Sequence, residues 1–220
     1  MNDIALNSPA FRFRQLWPAK IYVGLFHLVW VGVPYTATQY VDLFPATMMP
    51  QTAIDRAIPF SDTSIWIYLS MYVFMPLMLL MIAERYELSR YLWGIGAIGL
   101  LSCLVFFFFP TGVERPHDIN EMHWLYRFIV TIDKPVNACP SLHASQCFYC
   151  AMLGHVMSKQ LPRPTIWRII IWVWLAAILY TTLSTRQHVF VDIFAGSALA
   201  ITVWFGLNPV CRFPVRHAES

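Results

Sequence analysis

Charge is what this sequence has least of. Only 12% of its 220 residues are Asp, Glu, Lys or Arg, against about a quarter in soluble domains, and that scarcity excludes an ordinary water-soluble globule. The formal charge of +3 is too small to read as a basic binding surface, so no nucleic-acid partner is expected. The five cysteines make no disulfide framework. Cys147 and Cys150 form a C-x-x-C inside an apolar run with no second pair, a pattern that reads as packing, not as metal or redox chemistry. Internal repeats, low-complexity tracts and a soluble linker domain are also missing, which leaves a single membrane domain over residues 1–220.

What fills the chain is apolar. Hydrophobic residues make up 58% of it, with nine Trp, ten Tyr and sixteen Phe, an aromatic load suited to membrane interfaces. A helix needs roughly 20 apolar residues to cross a bilayer. Six runs come close: 21–39, 65–83, 91–109, 142–157, 166–183 and 189–207. The expected fold is all-α, a bundle of six transmembrane helices. Lys and Arg orient it. With six spans, ten of the fifteen basic residues (Arg12, Arg14, Lys20, Arg85, Arg90, Lys159, Arg163, Arg168, Arg212 and Arg216) share the side that carries both termini. The termini are therefore expected in the cytoplasm, and the first, third and fifth loops outside it, in a periplasm, lumen or cell exterior. A bacterial inner membrane and a eukaryotic endomembrane both fit.

Three polar clusters fall on that non-cytoplasmic side. The third loop opens with "FPTGVERPH" (Phe109 to His117) and continues as "DINEMHWLYRFIVTID". There Ile119, Met122, Leu125, Phe128, Ile129 and Ile132 recur at helical spacing. A short amphipathic helix on the membrane surface fits, as do a folded lid or a plain connector. "PSLHAS" (Pro140 to Ser145) follows. Pro140 and Ser141 read as a helix start with a capping hydroxyl. His143 sits in that first turn, where unpaired backbone N–H groups attract anions. In the fifth loop, "TTLSTRQHVFVD" sets His188 four residues before Asp192, one helical turn apart on one face. An aspartate at that depth is costly unless paired, and the histidine is its expected partner. Small residues run below both histidines, Cys147, Ala151 and Gly154 on one run and Gly196 and Ala200 on the other, so that the two helices can approach closely.

In these residues the chain resembles the type 2 phosphatidic acid phosphatase superfamily, the lipid phosphate phosphatases, whose three motifs are K-x6-R-P, P-S-G-H and S-R-x5-H-x3-D. Arg115-Pro116 matches the end of the first, with Phe108 at its lysine. Pro140-Ser141-Leu142-His143 matches the second, with leucine for glycine. His188 and Asp192 match the third, with Thr181 and Thr182 in place of Ser-Arg. The P-S-L-H form, the T-T-x-x-T-R-Q-H run and a weaker echo in "DRAIPF" (Asp55 to Phe60) are similar to the branch of inositol phosphorylceramide synthase-like proteins. The resemblance covers about residues 55–206, with a catalytic core near 109–206.

The resemblance implies a six-helix core and an enzyme acting on a lipid phosphate or diphosphate without metal or other cofactor. By it, His188 attacks phosphorus to give a phosphohistidine, Asp192 fixes its tautomer and His143 protonates the leaving oxygen. Arg115, Ser141 and the N–H groups at the start of the fourth run bind the phosphoryl oxygens. The missing Lys and Arg leave a gap in cationic charge. Arg186, two residues before His188, is the candidate to fill it, on charge and proximity alone. The expected partners are a lipid phosphate and the membrane lipids themselves. A phosphotransferase moving a phosphate or phospho-headgroup, such as inositol phosphate, onto a lipid alcohol is the alternative, and a non-enzymatic transporter is the reading from another class.

Overall fold

The computed structural model describes residues 8–40, 44–116 and 118–207. Cys211, Arg212, Arg216 and His217, and His117 in the third loop, lie outside the described residues. The chain is mostly helical. Among the described residues the helices are α1 (Pro9–Arg14), α2 (Trp17–Thr38), α3 (Ala53–Ala57), α4 (Ile65–Leu80), α5 (Arg85–Phe108), α6 (Trp124–Ile132), α7 (Leu142–Met157), α8 (Pro164–Ser184) and α9 (Phe190–Gly206). Two-residue strands β1 (Thr47–Met48) and β2 (Thr111–Gly112) pair in parallel and tie the first loop to the third.

Helices α2, α5 and α8 are long and apolar enough to cross a membrane; α4 and α9 are apolar but shorter. Helix α2 presents Tyr22, Leu25, Leu28, Val29 and Val33 outward, each more than half exposed, an apolar surface that water does not tolerate at this extent. Helix α7 is its opposite. Buried residues occur on every side of it, from Leu142 through Tyr149 to Met157, and it packs against α4, α5, α8 and α9. A helix surrounded by protein needs no lipid-facing side chains, so α7 can carry Ser141, His143, Ser145 and Gln146 where an outer helix could not.

Close packing of α7 on α9 depends on Gly196. A Cβ there would lie 2.5 Å from the Ser141 carbonyl oxygen, so only glycine lets the two helix starts touch. Ala151 and Ala200 are fully buried on the same two helices. Gly154 does not share this seam: it faces Met78 of α4 and Ile171 of α8.

The turns collect at two ends of the bundle. At one end α1, which the hydropathy pattern did not anticipate, is capped by Ser8 and begins with Pro9. Its Arg12 is 1% exposed and donates to the Met81 carbonyl at 2.6 Å, Gln160 Oε1 at 2.8 Å and Glu87 Oε2 at 3.1 Å. Lys20 Nζ donates to the Arg12 and Leu80 carbonyls. Glu87 also accepts the Ala83 and Glu84 N–H groups. That knot explains why α5 begins at Arg85, six residues before the apolar run: Glu87 in its first turn is buried and paired. It also explains the stop at Leu80, whose carbonyl is taken by Lys20. At the other end lie β1, β2, α3, α6 and the turn between α8 and α9. The third-loop helix forms only from Trp124, and residues 118–123 form none. His123 caps it through Nδ1. Leu125 and Tyr126 point inward, while Trp124, Phe128 and Ile132, each four apart, are more than half exposed.

Candidate active site

The end that carries β1 and β2 brings His143 and His188 side by side. Their ring centroids are 6.1 Å apart with planes at 63°, although 45 positions separate them in sequence. Ser141 builds the first half of this arrangement. Its side-chain oxygen accepts the Ala144 N–H and caps α7, and its own N–H donates to the Asp192 carbonyl, locking the start of α7 onto α9. A cap of this kind contributes about 1 kcal/mol. His143 is enclosed by Tyr35, Tyr68 and Tyr72, with ring centroids at 5.9, 6.0 and 6.4 Å, and its Nδ1 is buried without a hydrogen-bond partner.

His188 lies in the turn after α8, just ahead of α9, not on the helix itself. Asp192, in the first turn of α9, reaches back to it. Asp192 Oδ2 accepts the Val189 N–H at 3.1 Å and stands 3.4 Å from His188 Nδ1. The aspartate is fully buried and the histidine 7% exposed. This geometry leaves His188 Nε2 as the ring nitrogen opposite the carboxylate, free to act on a substrate, with Nδ1 facing the group that can keep it protonated.

Arg115 closes a small polar pocket with His188. Its guanidinium donates to the backbone and carboxylate of Asp133, and its Nη2 donates to Gln187 Oε1 at 2.8 Å. Asp133 is held in turn by Tyr35 Oη and Gln39 Nε2, at 2.8 and 2.7 Å. Arg115 Nε and Gln187 Nε2 are buried with no partner among the described residues, as are Asn137 Oδ1 beside them and Asp192 Oδ1. Buried polar groups are nearly always paired, so a cluster of orphans around two imidazoles marks a place built for a polar ligand. Two of the orphans are N–H donors, and one belongs to a cation. Such a set suits an anion.

Arg186 stands apart. It adopts a left-handed backbone (φ 54°), and its terminal nitrogens donate to the Asp55 and Ile58 carbonyls at 2.7 and 3.0 Å. It does not line the pocket shared by Arg115 and His188. Asp55 completes a clamp on the same turn. Its Oδ1 accepts the Phe190 N–H at 2.7 Å and its Oδ2 the Thr52 N–H and hydroxyl. Burial alone would raise the Asp55 carboxyl; the Thr52 and Phe190 donors and the nearby Arg186 outweigh it and hold it below the ordinary carboxylate value. The "DRAIPF" stretch is thus the strap that fixes the His188 turn from outside.

Asp133, Gln187, Tyr35 and the role of Asp55 escaped the sequence reading. Gln187 is adjacent to His188 and was open to notice. Tyr35 and Asp133 meet across 98 positions, and no spacing pattern announces that. Cys139, next to Pro140, is no rival nucleophile: burial, with the charge of Asp192, pushes its thiol up to about 11. Cys147 and Cys150 are free and fully buried. Among the described residues no three His, Cys, Asp or Glu side chains gather to hold a metal ion. A family model described as the PAP2 superfamily matches residues 42–205. No curated protein matches the chain significantly.

Proposed function

The chain belongs to the PAP2 superfamily, and on that premise we propose that it is an integral-membrane phosphatase that releases phosphate from a lipid phosphate or diphosphate through a phosphohistidine. The Nε2 lone pair of His188 attacks phosphorus as the bond to the lipid oxygen breaks. His143 gives its proton to that oxygen. Asp192 keeps Nδ1 of His188 protonated and stabilises the charged ring. Water then attacks phosphorus, the P–N bond breaks, and His143 takes the water proton, restoring both rings. Charge on the equatorial oxygens is met by Arg115, the Gln187 amide and the Ser141 hydroxyl. Arg186 acts with Asp55 to hold the turn that aims His188, and its cationic charge reinforces the site from behind. The scheme calls for no metal.

The observation that carries this reading is the pair of facing imidazoles, one backed by a buried carboxylate, beside buried donors that lack partners. Its membrane setting is proposed from the apolar runs and from where Lys and Arg fall. Six helical segments (α2, α4, α5, α7, α8 and α9) cross the bilayer, with the Arg12–Glu87 end in the cytoplasm and the histidine end outside it. Helix α6 rests at the membrane surface on Trp124, Phe128 and Ile132. The test is phosphate release from a panel of lipid phosphates and diphosphates by purified protein, with and without an acceptor alcohol, before and after chelation. The proposal expects release that survives chelation, stops in His188→Ala and is inhibited by vanadate. A new phospholipid formed only with the alcohol would make the protein a phosphotransferase. Lipid or ion flux without phosphate release would make it a transporter.

A further inference from the structure

Beneath His143 a cavity of about 320 Å³ opens between α2, α4, α5 and α7, within the size range of ligand pockets. Both outer helices that line it are irregular where they do so. Helix α2 widens into a π-helical stretch at Leu28–Gly32, just ahead of Pro34, whose missing N–H breaks the regular ladder. Helix α4 carries Pro76 in its interior. Almost all of the wall is apolar, as the hydrocarbon of a lipid requires. One patch is not. Gln146, three residues below His143 on α7 and 3% exposed, shares the cavity wall with the His27 imidazole of α2. Its amide nitrogen Nε2 is buried with no acceptor among the described residues.

An amide kept without an acceptor inside an apolar chamber is costly, and polar side chains at this depth are retained for a ligand. We infer that Gln146 and His27 form a subsite for a carbonyl group near the head of the lipid, so that the substrate is an acyl lipid phosphate and not a prenyl phosphate. The geometry fits that chemistry. Three residues of helix rise are about 4.5 Å, comparable to the few bonds between phosphorus and the acyl carbonyl of a diacylglycerol phosphate or the amide carbonyl of an N-acyl sphingoid phosphate. A prenyl chain offers no acceptor anywhere along its length. Tyr35 and Tyr72, whose rings meet His143 edge-on, line the same cavity.

The inference rests on the proposed lipid phosphate site, and binding separates the two. Non-hydrolysable phosphonates matched in length would be compared in lipid nanodiscs by displacement of a fluorescent diacyl analogue: a diacyl ester, an N-acyl sphingoid, a dialkyl ether and a prenyl form. The parent protein is expected to bind the two carbonyl-bearing ligands about tenfold more tightly than the ether and prenyl forms, the scale of one or two hydrogen bonds. Ester against amide identifies which acyl lipid is preferred. Gln146→Leu is expected to erase the difference by weakening only the carbonyl ligands, and His27→Phe to shrink it; either variant suffices if the other does not fold. Equal binding of ester and ether, tighter binding of the prenyl form, uniform weakening in both variants, or no binding at all overturns the inference. Phosphate release is scored separately. The carbonyl preference without release would leave this subsite standing and sink the phosphatase reading, whereas release without the preference would do the reverse.

Discussion

The two ends of the bundle bury comparable charge and treat it in opposite ways. At one end Arg12, Lys20 and Glu87 are nearly inaccessible, and each meets several partners: carbonyls, backbone N–H groups or one another. At the other end Gln187, His188 and Asp192 are buried and Arg115 and His143 half-buried, yet Arg115, Gln187, His143 and Asp192 each keep an atom without a partner among the described residues. Desolvation penalises both ends. The first recovers that cost inside the chain and is architecture. The second leaves part of it outstanding, which in the proposed reaction the phosphoryl group satisfies. Burial of charge therefore does not by itself identify a site; the unpaired remainder does.

Substitutions that exchange these behaviours would break the comparison. His188→Ala has the largest expected effect, a loss of phosphate release by about a thousandfold or more, with melting temperature in detergent nearly unchanged. Arg115→Ala follows, with turnover down by about a hundred- to a thousandfold, as for a removed oxyanion donor, again in a folded protein. Arg12→Leu should do the converse. Stranding Glu87 costs about 3–5 kcal/mol of stability, read as a lower melting temperature, while turnover per folded molecule stays near the parent's. Loss of activity in Arg12→Leu without loss of stability would erase the distinction between the ends.

Arg186→Ala sharpens the picture at the edge of the site. A guanidinium acting on the turn through backbone carbonyls should lower kcat by about tenfold to a hundredfold with KM little changed, and Arg186→Lys should recover part of it. A large rise in KM would instead place Arg186 on the phosphate. The smallest effect concerns pH. Asp55 is held below its ordinary value, so its ionised form stabilises the clamp at neutral pH. That contribution is lost as pH falls through its native value, which lies below the usual carboxylate range. Acid unfolding of Asp55→Asn should accordingly depend less on pH than that of the parent in this window.

Much of the fold was legible because apolar runs report helices directly: each of the six runs coincides with a helix, most exactly at 142–157. The errors fell at charged ends. Hydropathy discards RYELSR, yet Glu87 and Arg90 are buried there, Arg90 with its guanidinium 4.2 Å from the Trp204 ring. The short α1 was missed because its worth lies in Arg12 side-chain contacts made across 69 or more positions. In the candidate site, the meeting of His143, His188, Asp192 and Arg115 at one end was legible from capping, turn spacing and motif. Asp133 and Tyr35 were not, because their contribution exists only once the third loop folds back on α2. Arg186 was chosen for its charge, and charge does not tell which carbonyls a side chain will find.

The most direct measurement is to quench the parent protein during turnover of a lipid carrying radioactive phosphate and to map the label by peptide. The account predicts acid-labile, alkali-stable label on the peptide bearing His188, absent from His188→Ala. Sustained phosphate release with no label at His188, or label on another residue, would contradict it.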